Sequence, residues 1–227
     1  MSACPYDICD GSGFVYDEET NTATDCRCRP QQVARRRARS LSAVIPDRYR
    51  DVAFERYPVN EIEPRATVKA TERFVHQIDA QLDAGRGLWF MGGVGTGKTA
   101  LAMLVTKAAL EGGRTAARYT LPSLLSQIRR TFDTGEHGAL LQQLTYVDLL
   151  HIDDIGAEQT TPWVLEELYT IVNARYEEQK SIVITTNITD LALLNAQITE
   201  RTVSRLIEMC DQLPVEGHDR RMDLRVA

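Results

Sequence analysis

The chain has 227 residues, enough for one α/β domain of ordinary size with a small appendage, and its 43% hydrophobic content suits a globular protein. No apolar run approaches the roughly 20 residues of a membrane helix. Met1 to Asp7 lacks the basic start and apolar stretch of a secretion signal, so a cytoplasmic location is expected. A net charge of −6 excludes a uniformly basic nucleic-acid binder and leaves that role to local clusters.

Four of the five cysteines lie before residue 29. Cytosolic thiols stay reduced, so such a cluster points to metal before disulfides. Cys4 and Cys9 flank four residues, and Cys26 and Cys28 flank one arginine. Between them, Asp10-Gly11-Ser12-Gly13 reads as a turn leading into a strand-like Phe14-Val15-Tyr16. Two cysteine pairs on the arms of a hairpin can offer four thiolates to a tetrahedral Zn²⁺, which would supply folding energy to a segment without a core. The spacings depart from the commoner C-x2-C, and a tail with stray cysteines or a redox pair is the alternative. Arg27, Arg29, Arg35, Arg36, Arg37 and Arg39 follow as a basic run. It is either a solvated face or a contact to phosphate backbone or an acidic partner. Residues 1–40 are taken as a Cys-rich metal- and partner-binding module. Residues 41–66 form a connector marked by Pro46, Pro58 and Pro64, with Tyr49, Phe54 and Tyr57 pinning it to a main domain at 67–227.

Apolar spacing predicts an amphipathic helix over Thr67 to Ala84, then a buried strand at Gly87 to Met91. Gly92 to Thr99 reads Gly-Gly-Val-Gly-Thr-Gly-Lys-Thr and fits the phosphate-loop pattern G-x-x-x-x-G-K-[ST]. Glycines let backbone N–H groups converge on a phosphate, and the helix opening at Lys98 adds its positive end. Gly92, Gly93, Val94, Gly95, Thr96, Gly97, Lys98, Thr99 and Ala100 are therefore the expected nucleotide-binding set. Lys98 reaches for the β- and γ-phosphates, and Thr99 offers its hydroxyl to Mg²⁺. A chance glycine-rich turn is disfavoured by the strand before the loop and the Ala- and Leu-rich helix after it.

A second strand is predicted at Ala116 to Leu121, and helices at Pro122 to Phe132 and Ala139 to Leu144. Tyr146 to Asp154 reads as an apolar strand ending in two acids. Such a strand carries carboxylates to the sheet edge beside the phosphate loop, Asp153 for Mg²⁺ and Asp154 to orient or deprotonate the attacking water. His151 falls on the face opposite Ile152 and reads as a packed residue. A helix from Thr161 to Lys180 and a strand from Ser181 to Asn187 follow. Asn187 is placed either to meet the γ-phosphate or attacking water, or to cap the next helical turn. Glu200 to Met209 is a helix with Arg201 and Arg205 on one face, and Cys210 reads as a core or helix-end thiol.

The phosphate loop, Ile152-Asp153-Asp154-Ile155-Gly156, Thr185-Thr186-Asn187 and Arg201-Thr202-Val203-Ser204-Arg205-Leu206, in that order, resemble the AAA+ ATPases of the DnaC/DnaI/IstB group. These are loaders of the replicative helicase and ATPase helpers of transposases. The resemblance covers about residues 45 to 220, and the cysteine segment is similar to the zinc-bearing N-terminal part of DnaI-like loaders. It implies a P-loop NTPase fold, α/β with a parallel five-stranded sheet flanked by helices, a zinc hairpin and a reduced C-terminal lid. Asn187 matches the sensor-1 position. Arg205 matches the arginine finger that enters a neighbouring subunit's ATP site, with Arg201 in reserve, so self-association is implied. Leu124 to Phe132 matches the element with which these proteins touch single-stranded DNA; Arg129 and Arg130 are backbone contacts there, with few aromatics nearby in sequence to stack bases. The second acid is Asp154 where most AAA+ proteins carry Glu, which implies slow hydrolysis, and Arg220 or Arg221 is left for sensor 2.

The leading expectation is an ATP-dependent loader that grips the hexameric replicative helicase through its zinc module. The alternatives are a transposase helper assembling on duplex DNA, and a nucleotide-gated binding protein whose hydrolysis is incidental. ATP is preferred to GTP through the resemblance, and no guanine-reading Asn-Lys-x-Asp occurs.

Overall fold

In a computed structural model, residues 4–18, 20–30, 32–33, 45–156 and 161–220 are described. Arg35, Arg36, Arg37 and Arg39 of the basic run, and Arg221 of the tail, lie outside them. Two short strands open the chain, β1 (Phe14–Asp17) and β2 (Thr22–Asp25), paired antiparallel with Phe14 opposite Asp25. The connector carries two turns of 3₁₀ helix, Asp47–Tyr49 and Val59–Glu61.

The main domain then runs α1 (Arg65–His76), α2 (Ile78–Asp83), β3 (Gly87–Met91), α3 (Lys98–Glu111), β4 (Ala116–Thr120), α4 (Leu121–Thr134), α5 (His137–Tyr146) and β5 (Leu149–Asp153). It closes with α6 (Pro162–Glu177), β6 (Ser181–Thr186), α7 (Leu191–Ile198), α8 (Glu200–Met209) and β7 (Cys210–Pro214). The single helix expected at 67–84 is two, separated at Gln77. Phe74, Ile78 and Leu82 keep one apolar spacing through that break, and no proline or glycine marks it.

Five strands form one parallel sheet in the order β4-β5-β6-β3-β7. Alternation along each strand sorts its side chains to two faces. Leu88, Phe90, Leu149 and Val183 pack under α1, α2 and α3, while Trp89, Leu150, Ile152, Ile182 and Ile184 pack under α4 to α8. Helix starts follow local chemistry: Thr120, Thr161 and Thr199 accept from the N–H three residues on, and Pro122 and Pro162 occupy the first turns of α4 and α6.

The fifth strand, β7, escaped the chain-order reading, because Cys210-Asp211-Gln212-Leu213-Pro214 buries only two side chains and ends in proline, as an edge strand allows. Among the described residues no helix follows it, in keeping with a reduced lid, and none is long and apolar enough to cross a membrane. The connector is part of the main core: Val52, Val59 and Ile62 are buried with α1 and α3, and Glu63 bridges Glu216 beyond β7.

Candidate nucleotide and metal sites

Strand β3 delivers the phosphate loop at the sheet's C-terminal edge, beside the ends of β5 and β6. Gly95 (φ +72°) and Gly97 (φ +108°) occupy the left-handed region; at Gly97 a Cβ would lie 2.5 Å from Ile62 Cδ1. Gly97 caps α3, so Lys98 and Thr99 start the helix. Lys98 Nζ is buried and donates to Gly92 O at 2.9 Å and Gly93 O at 2.5 Å. Thr99 Oγ1 donates to Asp153 Oδ1 at 3.0 Å, which joins the loop to the end of β5.

Asp153 is the most heavily engaged acid of the site. Thr185 Oγ1 also donates to its Oδ1 (2.7 Å), and Arg118 Nη2 donates to Oδ2 (2.9 Å). Burial alone raises this carboxyl, yet it is held below the usual carboxylate range by His151, by the Thr185 and Thr99 hydroxyls and by Arg118. His151, buried on the face shared with α3, is itself driven down to about 4 by burial. Uncharged near neutral pH, it leaves the hydroxyls and Arg118 to carry the effect. Asp154 adopts a left-handed φ of +60°, its N–H bonded to Thr185 Oγ1 (2.9 Å), and its Oδ1 accepts from Asn187 Nδ2 at 3.2 Å.

A cavity of about 480 Å³ gathers Val94, Gly95, Gly97, Lys98, Thr99, Ala100, Asp154, Asn187 and Arg220. That volume lies in the range of small-molecule sites. Its opposite wall is the connector, with Arg48, Tyr49, Arg56 and Tyr57. Tyr49 and Tyr57 were read as pinning the connector to the main domain and Arg48 and Arg56 were not singled out; the arginine–tyrosine pairing was the available sign. Arg118 was also missed; a charge inside the short strand Ala116–Thr120 was its signal.

Arg205 lies elsewhere. On α8, its Nε donates to Asn173 Oδ1 (2.6 Å), and its guanidinium sits 5.0 Å and 5.4 Å from the rings of Tyr169 and Tyr176. It does not line the cavity of its own chain. Arg129 lies 4.6 Å over the Trp163 ring, and Phe132 stacks on His137 at 4.2 Å. The element read as poor in aromatics therefore has them, because α6 brings Trp163 from 34 positions away in the sequence.

At the other end of the chain, the sulfurs of Cys4, Cys9, Cys26 and Cys28 lie within 4.8 Å of one another. Cys4–Cys26 is 3.8 Å and Cys9–Cys28 is 3.5 Å. A tetrahedral ion with Zn–S bonds of about 2.3 Å separates its sulfurs by about 3.8 Å, so the four thiols fit Zn²⁺. Backbone N–H groups of the turn, that of Cys9 first, lower the Cys4 thiol to about 6, which favours the ligating thiolate; burial pushes Cys28 up.

The family described as IstB-like ATP binding protein matches residues 31–226. The chain belongs to the IstB-like ATP-binding family. Among curated relatives, this family member is 27% identical over 165 residues to the replicative helicase loader DnaC of Buchnera aphidicola subsp. Baizongia pistaciae, covering 71% of this chain and 65% of that one. It is also 27% identical over 215 residues to the phage-like element PBSX protein XkdC of Bacillus subtilis, covering 88% and 76%. The chain thus spans about 65% of the length of the DnaC relative. Among solved structures, a DnaC helicase loader superposes with a TM-score of 0.68 at 27% identity, over 75% of this chain and 99% of that one. DnaI shares the fold, with a TM-score of 0.63 at 22% identity over 82% and 100%. The fold is that of the AAA+ domains of DnaC and DnaA.

Proposed function

We propose that this IstB-family protein is an ATP-dependent loader of the replicative DNA helicase, acting in DNA replication. The observation that carries the reading is one cavity in which a phosphate loop meets Asp154 and Asn187, with Asp153 tied to Thr99 beneath it, in a chain several of whose relatives are named helicase loaders. In this reading the loop N–H groups and Lys98 take the phosphates, and the connector wall takes the nucleoside. Thr99 and Asp153 would hold Mg²⁺, whose charge offsets that of the phosphates. Asp154 accepts the proton of the attacking water, and Asn187, already bonded to it, fixes its direction. The single methylene of Asp154 sets its oxygens back from the substrate, which suits slow turnover, stimulated by DNA or partner, and a switch more than a motor.

The four thiolates of the N-terminal hairpin hold Zn²⁺ in a module that grips the hexameric helicase. Single-stranded DNA runs along α4, with Arg129 and Arg130 on its backbone and Phe132 and Trp163 supplying stacking faces. Arg205 acts in trans on the cavity of a second copy, and the protein works in the cytoplasm. A transposase helper assembling on duplex DNA is the second reading, favoured by the IstB family match itself.

Mass photometry of the protein with its host's replicative helicase, with and without ATP, tests this. A discrete complex, lost on deleting residues 1–40, is expected. No complex under any nucleotide condition would overturn the loader reading and turn attention to duplex-DNA assembly with a transposase.

A further inference from the structure

Asp153 is neutralised by a residue of its own sheet. A carboxylate has about four lone-pair sites. Thr99 and Thr185 fill both on Oδ1, and Arg118 takes one of the two on Oδ2. Strand pairing sets Arg118 directly across from His151 and diagonal to Asp153, on the sheet face that α3 covers. The pair is sheltered, with side-chain exposures of 21% for Arg118 and 5% for Asp153.

Two buried polar atoms beside it have no protein partner, Arg118 Nε and His151 Nε2. The Thr106 hydroxyl donates to Ala102 O at 2.9 Å, so it accepts from His151 Nδ1–H at 3.0 Å. His151 Nε2 stands 4.0 Å from Asp153 Oδ1, beyond hydrogen-bond reach, whereas Arg118 Nη2 donates to Oδ2 at 2.9 Å. Arg118 is thus the cation that balances Asp153 in a poorly solvated place.

We propose that Arg118 competes with Mg²⁺ for Asp153, as a positioning residue that sets how much Mg²⁺ the nucleotide site requires. The inference rests on the nucleotide reading above. A divalent cation drawn to Thr99 and Asp153 meets a fixed guanidinium on the same carboxylate, and at short range in a sheltered site that repulsion is strong. With a neutral residue in its place, the charge of Asp153 is no longer offset and the Oδ2 position that Arg118 held is freed beside the one already open. If Arg118 served only to hold Asp153 in place, its removal would have the opposite sign and weaken metal binding.

Equilibrium binding of a fluorescent ATP analogue, titrated with Mg²⁺, separates the two. In R118Q the half-saturating Mg²⁺ concentration should fall about tenfold, while R118K, which keeps the charge, should stay within about twofold of the unaltered protein. An unchanged or higher requirement in R118Q overturns the proposal. Should R118Q fail to fold, the unaltered protein still decides. Its Arg118 Nε–H resonance should shift when Mg²⁺ joins the bound nucleotide, and a resonance indifferent to Mg²⁺ overturns the proposal. An analogue that binds with an unaltered Mg²⁺ requirement sinks this inference alone. An analogue that never binds sinks the nucleotide reading with it.

Discussion

Arg220 grips the phosphate loop with main chain and side chain together. Its N–H donates to Gly95 O (3.1 Å), Nη1 to Thr96 O (2.8 Å) and Nη2 to Glu61 O (2.5 Å), while its carbonyl accepts from Tyr57 OH (2.9 Å). With Nη1 and Nη2 on carbonyls and only 7% of the residue exposed, Arg220 braces the loop against the connector at the wall of the cavity. R220A should therefore weaken nucleotide affinity about tenfold and lower the turnover number far less, since unpaired buried carbonyls cost roughly 2 kcal/mol. Parallel binding and steady-state measurements check this; a fall confined to turnover would reinstate the sensor role. D154N should do the reverse. A carboxamide cannot take a proton from water, so hydrolysis should drop about 100-fold or more with analogue binding within about threefold. Equal loss of binding would remove Asp154 from the chemistry. Lys98, Thr99 and the two acids were legible because a phosphate loop and an acidic strand end constrain residue types within a few consecutive positions. Arg118 and Thr185 were not, because what they do to Asp153 depends on strand neighbours 35 and 32 positions away.

Among elements, the hairpin and the main sheet are held by different forces. The sheet buries apolar side chains on both faces, whereas among the described residues the cysteine cluster has only Cys9 and Val15 packed against Cys4, Cys26 and Cys28. Hydrophobic burial offers so little there that a metal held by the four thiols would supply the missing stability. Chelation, or C26S, should raise amide hydrogen exchange across residues 14–25 by orders of magnitude and leave 149–153 protected. Hairpin exchange indifferent to chelation would show that no metal holds it. Periodicity and capping residues revealed the long helices and the four buried strands. They gave no sign of the break at Gln77, and at β7 tertiary contact supplied what the local sequence lacked. Strand β7 is recruited by pairing with β3, and Val215 N–H continues that pairing to Met91 O at 2.7 Å.

For the whole molecule, the question is which cavity Arg205 serves. Asn173, Tyr169 and Tyr176 hold it on the outer side of α6 and α8, away from the cavity of its own chain. A second copy docked on that surface would bring the phosphates of its own nucleotide to Arg205. An arginine acting in trans stabilises charge developing at the neighbour's site, so its loss reduces turnover without touching nucleotide affinity. R205A should bind the ATP analogue normally and hydrolyse at least about tenfold more slowly. D154N keeps Arg205 but lacks the acid, so each variant has what the other is missing. Mixed in equal amounts, the two should form some interfaces with a complete site, and turnover should rise above the mean of the separate variants. An arginine acting in cis would give no such recovery, because neither chain alone holds both groups. Titrating R205A with D154N at fixed total protein therefore reads assembly and catalysis in one experiment, and a strictly linear mixing curve would assign Arg205 to the surface of a monomer.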